Sequence, residues 1–488
     1  MTGAGCAHGQ PGPRCLYIGD HVADLNRLPE DSTTQREVSA PSNSRTTTMK
    51  LRPSHNDDVI NTTLRTSAPN SVRAAVAGGL GSLVEYFDFA IYGFVAVYIA
   101  GHFFPSDRPA IGVLATMGAF TVGYVVRPLG GWYFGRMGDR RGRCRALVVT
   151  VVSMGVCTTA IGLLPSYATI GILAPIGLLV LRALQGFCAG GEVAGAASYT
   201  AESAPQHRRG FFTSFTPMGT TGGYACAAIV VGLTTIALSP EQMQAWGWRI
   251  PFLVVAPITL LCTYFRLKLE DSPEFLEMSA QQVAESPFRE VLAQNPKQVM
   301  QAAFLTFATF GTSTLVLAYF PTFFIKVRGF DAQPYYWMMA VVISLALLAF
   351  PVIGALSDRI GRKRVMMGGY CSLAILAYPL FWSLENSRSL IVLGIILLVY
   401  YTVNGVTIAT TYLVTVELMP RAVRYTGSAL GINVGLIVIS FGPTMAAEVV
   451  NHFGSLIPVA LWAVICGVVG AATLMFGVRE TAGAELAK

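Results

Sequence analysis

Gly135-Arg136-Met137-Gly138-Asp139-Arg140-Arg141-Gly142-Arg143 is answered 219 residues later by Gly354-Ala355-Leu356-Ser357-Asp358-Arg359-Ile360-Gly361-Arg362, with Gly, Asp, Arg, Gly and Arg in register. A second match follows at nearly the same offset, 215 residues: Thr200, Glu202, Pro205 and Arg209 against Thr415, Glu417, Pro420 and Arg424. Loops that merely collect cations would explain the arginines but not the Gly and Asp at identical steps. Two independent matches at close offsets predict a duplicated unit, and repeats set the architecture before any local motif does.

The material around these repeats is apolar. Of 488 residues, 53% are hydrophobic and only 12% charged, with a mean hydropathy of +0.53; a soluble surface needs more charge than that. A helix needs about 20 apolar residues to cross the bilayer core. Such stretches follow one another near 73–104, 109–135, 146–165, 170–203, 210–238, 248–269, 299–325, 334–356, 365–384, 389–416, 425–450 and 455–478. The fold class is therefore all-α: an integral membrane protein with twelve transmembrane helices in two pseudo-symmetric six-helix bundles, 73–269 and 298–480. A polar linker, 270–297, carries Glu270, Asp271, Glu274, Glu277, Pro287 and Lys297, and a short tail, 481–488, follows the second bundle.

Cations gather in short cytoplasmic loops. Arg136, Arg140, Arg141, Arg143 and Arg145, then Arg208 and Arg209, then Arg359, Arg362, Lys363 and Arg364, then Arg421 and Arg424 all fall on one side. That side is expected to be cytoplasmic, with both termini and the linker there and the protein in the inner membrane. The net charge of +7 is then topological, and no nucleic-acid partner is expected. Residues 1–72 are rich in Ser, Thr, Pro and Asn without an apolar signal segment and read as a disordered extension; Met49-Lys50 reads as an ordinary start, which would make the first 48 residues an upstream extension. The nine cysteines include no CxxC pair and read as packing residues rather than a metal site. No GxxxxGK[ST] phosphate loop and no nucleophile–base constellation appears. Neither an enzyme nor a nucleotide-driven pump is expected, and no cofactor beyond an ion gradient.

The repeated GxxxDRxGR loop resembles the signature of the major facilitator superfamily, over about 73–480. Val84-Glu85-Tyr86-Phe87-Asp88-Phe89 with Tyr92-Gly93, Arg127-Pro128-Leu129-Gly130-Gly131, Gln185-Gly186-Phe187 with Ala189-Gly190-Gly191-Glu192, and Gly247-Trp248-Arg249-Ile250-Pro251-Phe252 resemble its metabolite:proton symporter family. That family includes carriers of dicarboxylates and tricarboxylates, shikimate, proline and betaine. The resemblance implies a proton-coupled carrier, monomeric by family default, in which Gly135, Asp139 and Gly354, Asp358 form cytoplasmic latches. Asp139 would dock near the start of the eleventh span. Arg143, Glu202 and Arg209, repeated as Arg362, Glu417 and Arg424, form the expected ionic cluster. The first copy departs in having Cys144 where the second has Lys363.

Ionisable groups at midplane cost several kcal/mol unless paired or hydrated, so each is a functional candidate. Glu85, Asp88, Arg127, Arg182 and Glu192 all lie in the first half, whereas the second offers Asn404, Thr407, Thr411 and Asn433. Counting about 1.5 Å per residue places Glu85, Arg127 and Glu192 near one level and Asp88 and Arg182 near another. The expectation is a common cavity in which Glu85, Asp88 and Glu192 couple protons while Arg127, Arg182, Tyr92, Tyr124, Gln185 and Asn404 hold substrate. Desolvation raises a carboxylate's proton affinity and a nearby Arg lowers it, so a substrate competing for the Arg links its own movement to a proton. The substrate so recognised is a small organic acid or zwitterion. A proton-independent facilitator or exporter, and a membrane sensor built on the same scaffold, are the alternatives; mutual neutralisation of the charges for packing is the bland one.

Overall fold

The computed structural model describes residues 55–105, 109–272, 275–276 and 287–483, with side chains from Ser71 onward. Among them every regular element is helical. In chain order the long helices are α1 (His55–Phe94), α2 (Pro109–Arg141), α3 (Arg143–Leu163), α4 (Leu173–Ser203), α5 (Phe215–Ala237), α6 (Ile250–Leu267), α7 (Pro296–Thr314), α8 (Ala332–Leu347), α9 (Arg362–Asn386), α10 (Leu390–Glu417), α11 (Arg424–Ile439) and α12 (Ile457–Gly477). Eleven of these lie in stretches long and apolar enough to cross a membrane. The twelfth, α2, is 33 residues long. Large apolar side chains such as Leu260, Ile375 and Ile391 point outward, as a lipid-facing surface requires.

One expectation needs correction. Helix α1 begins at His55, so 55–72 is helical rather than irregular; a composition poor in apolar residues lowers helix stability only weakly when the segment continues a strong helix. Residues 1–54, and 273–274, 277–286 and 484–488 of the linker and tail, lie outside the described residues. Several spans are interrupted. The first is interrupted at Val95, two residues after Gly93, and resumes as Ala96–Phe103. The seventh passes through π-helical turns at Leu315–Tyr319 and Phe323–Val327 on either side of Pro321, which has no N–H and crowds the carbonyl four residues back. The eighth resumes as Ala349–Ile360, with Pro351 in its first turn. The eleventh resumes as Gly442–Phe453, opened by Pro443.

Close backbone approach fixes where the first-half charges meet. A Cβ on Gly186 would collide with the Gly123 carbonyl, and one on Gly190 with that of Arg127. Small residues at such crossings let membrane helices pack at short range. Helix α4 is thereby pressed onto α2, which brings Arg127 and Gln185 to neighbouring depths. The halves meet where α2 packs on α11 and α5 on α8.

Candidate functional site

The five charges expected at midplane in the first half, all buried, do not share one cluster. Arg127 on α2 pairs with Glu85 on α1 at 3.1 Å, its guanidinium lying over Phe89 at 4.3 Å and Tyr124 at 4.6 Å. Asp88, one turn along α1, makes its contacts on another side. Gln185 Nε2 donates to both its oxygens, at 2.8 and 2.7 Å, and also lies 2.7 Å from Thr158 Oγ1. The Gln185 carbonyl oxygen accepts from Arg182 Nη1 at 3.0 Å, and Arg182 stacks 3.4 Å over Tyr92, whose hydroxyl donates to the Thr116 carbonyl. An amide thus stands between a carboxylate and a guanidinium. Gln185, expected on substrate, bridges the two in this structure.

Glu192 goes elsewhere. It pairs with Arg266 on α6 and accepts from Thr150 on α3 at 2.6 Å. Arg266 was legible only as one more cation at a cytoplasmic helix end, because the seventy-odd residues between the partners carry no spacing signal. Glu192 and Arg127 share a level, as counted, but face different neighbours.

The second half answers with hydroxyls. Thr309 lies 2.7 Å from both Tyr370 and Thr411, and Asn404 Nδ2 donates to Thr312. Between the halves lies a cavity of about 50 Å³ whose wall includes Tyr86, Tyr124, Phe120 and Tyr224 from the first half and Phe310, Ser313, Thr314 and Tyr401 from the second. By the measure in which one water takes roughly 10–15 Å³ this space holds several waters or a small solute. Tyr124 is the one residue of the expected substrate set on that wall. Arg127 stands behind the Tyr124 ring, and Arg182, Tyr92, Gln185 and Asn404 are held in the networks above. Tyr86, Tyr224 and Tyr401 were missed because an aromatic on an apolar helix reads as core. Beside the cavity, the hydroxyls of Tyr86 and Tyr412 meet across the halves at 3.3 Å.

On the face carrying the repeated loops the halves are joined. Asp139 accepts from the backbone of Tyr425 at 3.1 Å and Thr426 at 2.9 Å, and from the Thr426 hydroxyl at 2.6 Å. These are the free N–H groups of the first turn of α11, where a carboxylate is favoured. Asp358 does the same for Gly210 and Phe211, at 2.8 and 2.9 Å, just before α5. Gly135 abuts Thr426, and Gly354 abuts Gly210. Glu202 binds Arg143 through Nε and Nη2 and Arg424 of the other half at 3.0 Å, while Arg143 also pairs with Asp139. In the second copy Glu417 pairs with Arg362 at 2.9 Å and feels the charge of Arg209.

A third repeat emerges only in three dimensions. Asp271 accepts from the Cys144 backbone and Glu480 from the backbones of Arg362 and Lys363, so each caps the helix that follows a loop. Their neighbours Ser272 and Thr481 donate to Glu202 and Glu417. Gly142 and Gly361, at φ 104° and 106°, leave room for those acids where a Cβ would meet them. Cys144, standing where the second copy has Lys363, reaches the Glu270 carbonyl at 3.1 Å, as Lys363 reaches that of Val478 at 2.8 Å. The acid-hydroxyl pairs recur 209 residues apart, a signal present in the sequence but too short to stand out alone.

Comparison with known proteins agrees with this architecture. The chain is 34% identical over 427 residues to the proline/betaine transporter of Salmonella typhimurium, covering 85% of this chain and 84% of that one. It is 35% identical over 392 residues to the shikimate transporter of Escherichia coli, covering 78% and 88%. The fold is that of the solved proton:xylose symporter XylE, with a TM-score of 0.72 at 18% identity over 86% of this chain and 98% of that one. The profile of the Major Facilitator Superfamily matches residues 78–443. A duplicated six-helix unit, paired loop latches and these relatives together place the chain in one family: it belongs to the major facilitator superfamily.

Proposed function

We propose that this multi-pass membrane protein is a proton-coupled symporter that imports a small organic acid or zwitterionic metabolite by alternating access. The observation that carries the reading is the chain Asp88–Gln185–Arg182 inside the first bundle, next to a cavity shared by both. Ionised, Asp88 is an acceptor for the Gln185 amide; protonated, it becomes a donor, and the amide that also holds Arg182 must rearrange. Loss of the charge also removes much of the cost of moving this site through a dehydrated state. Such a group can report its protonation to helices α1, α3 and α4 together.

The loop face, closed here, is the cytoplasmic one by its cations, with both termini on that side and the protein in the inner membrane. Opening toward the cytoplasm breaks the Asp139, Asp358 and Glu202–Arg424 contacts as the halves rock about the cavity. No cofactor takes part, the driving force is the proton gradient, and one chain suffices. Relatives named for proline, betaine and shikimate support a small charged solute. Proteoliposomes bearing the purified protein should accumulate a member of a panel of dicarboxylates, shikimate, proline and betaine when a pH gradient is imposed. Equal uptake with and without that gradient would leave a facilitator.

A further inference from the structure

Besides receiving Asp139 at its first turn, α11 sends two side chains across into the first bundle. The Tyr425 ring is fully buried and lies across α2 and α4. A Cβ on Gly138 would fall on the edge of the ring and one on Gly195 on its hydroxyl, so two glycines on two helices make the slot it fills. There the Tyr425 hydroxyl donates to the Gly191 carbonyl at 2.7 Å. Two turns along α11, Asn433 Nδ2 donates to the neighbouring carbonyl of α4, that of Gly190, at 2.6 Å, and a Cβ on Gly131 would meet that amide. A carbonyl oxygen has two lone pairs, so each can take such a bond beside the one its own helix makes.

The seam related by the repeat is built otherwise. The 215-residue offset that sets Arg424 against Arg209 sets Tyr425 against Gly210 and Asn433 against Met218, neither of which has a side-chain donor. Backbone meets backbone there: a Cβ on Gly210 would collide with the Gly354 carbonyl. Both seams have an aspartate latch, but the seated ring belongs to one. A ring held between two helix backbones at native packing density is either in its slot or out of it, with little between. We infer that Tyr425 is the residue that positions α11 for closure of the loop face, a bolt between the halves, with Asn433 as its second point of register. The assignment rests on the reading that this face opens and closes during transport, and it makes the two seams unequal in that motion.

Amide hydrogen exchange of the purified full-length protein, followed by mass spectrometry without added substrate, reads both seams at once. One reporter covers Tyr425 and Thr426, whose N–H groups Asp139 holds, and the other covers Gly210 and Phe211, held by Asp358. Tyr425→Ala empties the slot and should raise exchange roughly tenfold at both reporters, with exchange in α3 unchanged as the sign of an intact bundle. The second reporter decides. Local damage to α11 moves the first alone, whereas a shift toward the open face also moves the second, where no residue has changed. Gly195→Ala should match Tyr425→Ala, because the added methyl expels the ring, and the double variant should be no worse than either alone. Tyr425→Phe keeps the ring and loses one neutral hydrogen bond, so exchange should rise only about threefold. Unchanged exchange at Gly210 and Phe211 in Tyr425→Ala, or effects of Tyr425→Ala and Gly195→Ala that simply add, overturn the inference. Asp139→Asn separates the bolt from the opening itself. If that variant raises exchange at both reporters while Tyr425→Ala does not, the bolt falls and opening at this face stands; if neither variant moves the second reporter, both fall.

Discussion

The two halves share a scaffold and differ in what they bury. Both carry the loop aspartate, the Glu–Arg pair and the acid-hydroxyl pair that follows the last helix of the unit. Inside, the first half holds Glu85, Asp88, Arg127, Arg182 and the Glu192–Arg266 pair, and the second holds Thr309, Thr312, Tyr370, Asn404 and Thr411. Hydroxyls and amides satisfy one another in a single state. Carboxylates have two states, and a change of protonation changes what their neighbours must do. The loop contacts thus recur in both halves, while the carboxylates Glu85, Asp88 and Glu192 within the spans belong to the first.

The sharpest way to break this contrast is to remove one member of a first-half ion pair. Glu85→Gln or Arg127→Gln leaves a buried charge without its partner, which costs about 3–5 kcal/mol, read as a fall in melting temperature in detergent. The double replacement should recover most of that loss. If the single variants melt with the unaltered protein, the pair is not buried as described.

The latches come next. Asp139 accepts three bonds from α11 and is fully buried, whereas Asp358 accepts two from the turn before α5 and is partly covered. Hydrogen bonds to a charged group contribute about 1.5–3 kcal/mol, so Asp139→Asn should slow turnover by roughly tenfold or more and Asp358→Asn by less, with normal membrane insertion in both. Full transport by Asp139→Asn would remove the latch. The smallest effect belongs to the second half: Thr312→Val loses one interhelical hydrogen bond and Thr309→Val two, each worth about 0.6 kcal/mol in a membrane. A loss comparable to that from Glu85→Gln would mean that the second half is not the passive partner.

How much of this was legible follows from range. The duplicated loops are contiguous and the spans are long apolar runs, so the fold could be read directly, whereas Asp139 at the start of α11 came from the family resemblance. The Glu85–Arg127 pairing was foreseen as a shared level. What failed was azimuth. Helical counting gives depth along a span but not which neighbour a side chain faces, so Glu192 was placed with Arg127 although it turns to Arg266. Gln185 was placed on substrate with no signal for its bonds to Asp88 on α1 and to Arg182. Tyr86, Tyr224 and Tyr401 carry no signal until helices from different halves are brought together, and 55–72 was misread because its helix runs on into the first span rather than being started by its own composition.

The most direct test of the central claim is Asp88→Asn in proteoliposomes, comparing accumulation driven by a pH gradient with exchange of labelled substrate at equal pH. The account predicts that accumulation falls to the external concentration while exchange persists, because a neutral side chain can still occupy the Gln185 site but cannot carry a proton. Equal loss of both in protein that inserts normally, or undiminished accumulation, would contradict it.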